Sequence, residues 1–117
     1  MKIVRPKKAS AEPIGTRPYP VRGTSSLKIA HGDGESHAYV LYFEPGGEIG
    51  PHVAGYGQLF LALSGEGWIA GDDGTRQALS TGEAAFISRG EIHSKGSETG
   101  LTALMVQVRD LNPQEYQ

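Results

Sequence analysis

The stretch PGGEIGPHVAGYGQLFLALSGEG, residues 45–67, decides the fold. Two runs with strand character flank the turn AGYG, residues 54–57. In the second run Gln58, Phe60 and Ala62 share one face, while Leu59, Leu61 and Leu63 share the other. That period of two is the mark of a strand, not a helix. A hairpin centred on Gly55 sets positions 52 and 58 opposite each other. Opposed side chains have Cβ atoms about 4.5–5.5 Å apart, so His52 and Gln58 are expected to share one face and reach one ligand.

Outward from this stretch the pattern repeats. Seventeen of the 117 residues are Gly, and fifteen of those lie between Gly32 and Gly100. Gly costs about 1 kcal/mol relative to Ala in a helix interior, so a helical bundle is excluded. Short apolar runs at Ser26–His31, His37–Glu44, Gln58–Ser64, Trp68–Ala70, Arg76–Leu79, Ala84–Ser88 and Leu101–Val108 alternate with turn signals. HGDGE, PGG, GEG and GDDG punctuate the first four, and Asp73-Gly74 suits a tight hairpin turn. The expectation is an antiparallel all-β body.

Four of seven prolines precede Gly23. Residues 1–22 therefore read as an extended basic arm, residues 23–110 as a barrel or sandwich, and residues 111–117 as a tail. Charge follows the same division. Residues 1–30 hold seven cations against Glu12, a balance of +6; the rest hold four cations against twelve acids, a balance of −8. Only Tyr19 offers a stacking aromatic in the arm and no recognition helix follows, so nucleic acid is not the expected partner. The arm is expected to lie on the acidic body of its own or a partner subunit.

Chemistry is bounded by what is missing. With no Cys, thiolate nucleophiles, disulfides and iron–sulfur clusters are impossible. No apolar run reaches membrane-spanning length, and no signal-peptide pattern opens the chain; a cytoplasmic protein with no membrane partner is the expectation. There is no phosphate-binding Gly loop opening a helix. The runs 58–64 and 101–108 are apolar on both faces, whereas a surface strand needs only one apolar face. A homodimer through these strands is expected, with a monomer covered by its own arm as the alternative.

Two clusters then fall into a known register. Gly46 or Gly47, His52, Gln58 and Gly65 follow the first motif of the cupin superfamily; Gly82, Gly90 and His93, in GEAAFISRGEIH, follow the second. The chain thus resembles a small single-domain cupin, and the resemblance implies an antiparallel jelly-roll β-barrel. It also implies that His52, Gln58 and His93 converge inside that barrel as ligands of a divalent metal (Fe, Mn, Ni or Zn). Three positions depart from the pattern: Ala54 replaces the second His of the pair, Gln58 the acidic ligand, and Ser88 the Pro.

Those departures divide the function. One reading is a metal-dependent oxygenase, isomerase or lyase acting on a small anionic molecule. Two imidazoles and an amide bring no negative charge to offset the ion, unlike the two-His-one-carboxylate iron set, so lower metal affinity is expected unless an anionic substrate, hydroxide or Glu91 completes the shell. The other reading is a metal-free barrel that binds or senses a small molecule, with the same three residues as a hydrogen-bonding floor. Tyr56 sits at the hairpin tip and reads as a surface residue; Trp68 reads as core, His31 as exposed, His37 as a tucked-in strand end, and Asp72-Asp73 as a turn.

Overall fold

The computed structural model describes residues 1–114; the last three residues of the expected tail lie outside the described residues. Ten strands follow in order: β1 (Lys2–Val4), β2 (Glu12–Pro13), β3 (Ser25–Ser26), β4 (Ala30–Phe43), β5 (Glu48–Val53), β6 (Gly57–Ala70), β7 (Arg76–Ser80), β8 (Ala84–Ile87), β9 (Ile92–Gly96) and β10 (Leu101–Pro113). One 3-10 turn, Lys8–Ser10, is the only helical element among the described residues. The all-β, antiparallel jelly-roll expectation is met.

The barrel has two walls that share β6. One wall runs β1-β8-β6-β10-β4; in the other, β6 pairs with β7 and β9, and β9 pairs with β5. The change of partners falls at Gly65. Up to Gly65 the strand faces β8 and β10, and from Glu66 onward it faces β7 and β9. Gly65 has φ +89°, and a Cβ there would collide with the Gly100 carbonyl, so only Gly permits the bend. GEG was expected to be a turn between two strands; it is a corner within one 14-residue strand.

A second expected turn is also strand. HGDGE lies inside β4, because β10 extends to Pro113 and supplies partners down to Ala30. A bulge between Val108 and Asp110 absorbs the register change. The arm is joined to the barrel at its start: Lys2–Val4 pairs with β8, and Val4 is buried with Ala84 and Phe86. Its middle is separate, since β2 and β3 pair only with each other.

Interior and exterior alternate across the first wall. Phe60, Met105 and Tyr39 lie in one cross-strand row, with Ala62, Ala103 and Leu41 next to it. Phe43, Phe60, Ala62, Ile69, Leu79, Ala85, Ile87, Leu101, Ala103 and Met105 form the main core between the walls. Trp68 belongs to the buried set as expected, with the Arg76 guanidinium 3.8 Å over its ring.

Candidate functional site

Register places the site. His52 on β5 lies directly opposite His93 on β9, and their rings are 4.3 Å apart. The expected hairpin pairing of His52 with Gln58 is not formed. β5 pairs with β9, whereas Gln58 lies between Ile87 of β8 and Gln107 of β10. Residues 54–57 therefore connect two walls of the barrel, not two strands of one hairpin. The backbone of Ala54 is tied to the β8–β9 turn, donating to the Glu91 carbonyl and accepting from the Gly90 N–H.

Gln58 and His93 are linked by a residue that the motif comparison does not contain. Lys95, two positions after His93 on β9, points to the same side. Its Nζ donates to Gln58 Oε1 at 2.8 Å and lies 3.2 Å from His93 Nε2. All three side chains are buried: Gln58 is 3%, His93 0% and Lys95 1% exposed. Ile49 and Ile69 flank Lys95 on either side, and the Phe60 ring centre is 5.1 Å from Nζ.

The electrostatics follow from burial. Among the described residues Lys95 has no carboxylate partner in its hydrogen bonds or ion pairs, and burial alone pushes its ammonium down to about 8. His93 is pushed down to about 4, first by burial, then by the Lys95 charge, then by His52; the Glu91 carbonyl pulls it back slightly. At neutral pH the ammonium donates to the His93 Nε2 lone pair. The hydrogen then sits on Nδ1, on the ring side of the Glu91 backbone. His52 is different: it is exposed, and its Nδ1 donates to the Gly50 carbonyl at 2.8 Å, leaving Nε2 as the free lone pair.

These donors do not suit a divalent cation. Gln58 Oε1 and His93 Nε2 are the atoms an ion would need, and both are held by a positively charged nitrogen. A second cation beside that ammonium would be strongly repelled in a low-dielectric interior. Glu91, one of the groups that could complete a metal shell, is engaged elsewhere. Its carboxylate meets the Met1 ammonium at 2.7 Å and accepts the Ser88 N–H at 2.7 Å. Among the described residues, no group of three His, Cys, Asp or Glu side chains is placed to hold a metal ion.

A second polar group continues from Gln58 across the first wall. Gln58, Gln107 and His37 form one cross-strand row over β6, β10 and β4. His37 is not tucked in: its side chain is 41% exposed, and Nε2 meets Glu35 at 2.7 Å. Tyr56 stacks on His37 at 5.9 Å. The His37 contact first, and the Tyr56 hydroxyl second, hold the Glu35 carboxyl below its ordinary range. Tyr56 thus spans from the end of β6 to β4, across β10, and is not a free surface residue. Lys95 was legible in principle: His93-Ser94-Lys95 opens a strand, and a period of two puts Lys95 beside His93.

Comparison with known proteins agrees with this architecture. The cupin domain profile matches residues 39–108. Among solved structures, a cupin-like protein from Thermotoga maritima superposes with a TM-score of 0.62 at 15% identity, over 86% of this chain and 90% of that one. A double-stranded β-helix domain protein from Klebsiella pneumoniae gives 0.59 at 22% identity, over 83% and 90%. A conserved protein of unknown function from Streptococcus pyogenes gives 0.60 at 22%, over 66% and 67%. At these identities the likeness is one of fold. No curated protein matches the chain.

Proposed function

The chain belongs to the cupin-domain family, and from that premise we propose that it is a metal-free barrel that binds a small anionic molecule without catalysing its conversion. One observation carries the reading: a lysine ammonium occupies the donor atoms of Gln58 and His93, with no carboxylate to balance it. A cupin that uses a metal places a cation at its centre to receive an anionic ligand. Here the chain supplies the cation itself.

Physical chemistry supports the assignment of charge. A buried ammonium without a counter-ion is destabilising, and burial accordingly depresses Lys95 to about 8. An anion reaching Nζ restores the balance; each pKa unit regained corresponds to about 1.4 kcal/mol of favourable coupling. Exposed His52, with its ring 4.3 Å from that of His93, borders this buried group.

The test is calorimetric titration with small carboxylates (acetate, pyruvate, oxalate), with choline and glucose as cationic and neutral controls. Heat from a carboxylate that disappears in Lys95→Met supports the proposal. Binding that survives in Lys95→Met, or binding of choline alone, contradicts it.

A further inference from the structure

On the reading that Lys95 receives an anion, on which this inference rests, we propose that the anion is a 2-oxo acid, held reversibly as a Schiff base on Lys95 Nζ.

The surroundings of this nitrogen set it apart. Lys2, Lys7, Lys8 and Lys28 are exposed, whereas Lys95 is buried. Ile49 and Ile69 lie beside it on the neighbouring strands, and the Phe60 ring centre is 5.1 Å from Nζ. Apolar enclosure favours the neutral amine, which is the form that attacks a carbonyl carbon. The polar atoms at Nζ are Gln58 Oε1 at 2.8 Å and His93 Nε2 at 3.2 Å. Both are neutral acceptors, and the imidazole nitrogen is close enough to take a hydrogen that Nζ gives up.

The chemistry closes without a further reactant. The Nζ lone pair bonds to the carbonyl carbon, and the carbon–oxygen bond breaks as the oxygen leaves as water. Two of the three ammonium hydrogens end in that water, by way of His93 Nε2, and the third stays on a cationic iminium. Water adding back releases the acid unchanged, so the bond captures the ligand and does not convert it.

Charge selects the ligand class. The iminium is as cationic as the ammonium it replaces, and among the described residues Lys95 has no carboxylate partner. A simple ketone leaves that charge buried and unpaired. A 2-oxo acid brings its own carboxylate, on the carbon next to the one that joins Nζ.

Reductive trapping on the full chain tests this, with pyruvate and cyanoborohydride followed by intact-mass and peptide-mapping mass spectrometry. The expected result is one adduct per chain, on Lys95, formed faster than on Lys2, Lys7, Lys8 or Lys28. The expected ratio is about tenfold or more, which one unit of amine basicity gives in neutral amine. Propionate, with the carboxylate and no carbonyl, is expected to give none, and acetone to react more slowly than pyruvate. No adduct on Lys95, or one formed no faster than on the exposed lysines, overturns the proposal; acetone trapped as fast as pyruvate overturns the assignment to 2-oxo acids. Calorimetry separates the two levels. Pyruvate heat that is lost in Lys95→Met, without an adduct, overturns the Schiff base and leaves the anion reading standing, whereas no heat from any carboxylate removes both.

Discussion

Lys95 Nζ lies 3.2 Å from His93 Nε2, two residues back on the same strand, and both side chains are buried. Burial first, and the ammonium second, keep the imidazole neutral, and the neutral imidazole gives the ammonium an acceptor. The account of the site rests on this contact and on the Gln58 bond beside it.

The burial of Lys95 makes stability depend on pH at the alkaline side. The unfolded chain holds the Lys95 proton up to about 10.5, whereas the folded chain releases it near 8. Between those values the unfolded state binds more protons, so stability rises with pH, by up to about 3 kcal/mol. Lys95→Met removes the titrating group. Denaturant unfolding from pH 7.5 to 10.5 is expected to show this rise in the wild type and a flat difference curve in the variant. At pH 7 the variant is expected within about 2 kcal/mol of wild type, relief of the buried charge offsetting the unpaired Gln58 oxygen.

His93 produces a second window on the acid side. Its folded value near 4 lies below its ordinary 6.5, so the unfolded chain takes up the proton first as pH falls. Stability is complete above about 6.5 and is lost progressively towards pH 4, by up to about 3 kcal/mol. His93→Gln is expected to remove that loss. An unchanged acid limb in His93→Gln would place the titration on another group.

The corner in β6 predicts a mutational contrast. Gly65→Ala sets a Cβ against the Gly100 carbonyl at positive φ, whereas Gly74, at φ +74°, has open space around it. Gly65→Ala is expected to destabilise the fold by more than about 2 kcal/mol, since backbone overlap adds to the left-handed strain of about 1–2 kcal/mol that Gly74→Ala bears alone. Equilibrium urea denaturation of the two variants checks the order.

Much of the fold was legible because strand alternation is local. The period of two in residues 58–63 and 101–108, and the glycines between runs, suffice to read an antiparallel barrel. The expected turns at HGDGE and GEG became strand because long-range partners overrode the local signal. β10 extends far enough to pair residues 30–33, and Gly65 bends β6 without ending it. The site was legible only in part. The two motif positions His52 and His93 do face each other, but the hairpin assumed for His52 and Gln58 was a local solution to a pairing that is non-local. Lys95 escaped notice because a lysine reads as a surface residue, and only the closure of the barrel reveals that its ammonium is enclosed.

The central claim is that Lys95 occupies the place of a metal ion. Elemental analysis of untagged protein, dialysed against zinc and then against buffer, tests it most directly when wild type and Lys95→Glu are compared. Removing the ammonium frees Gln58 Oε1 and His93 Nε2, and the new carboxylate supplies the negative charge that the donor set lacks. The account predicts no retained metal in the wild type and close to one zinc per chain in Lys95→Glu. A full equivalent of metal retained by the wild-type chain would contradict it.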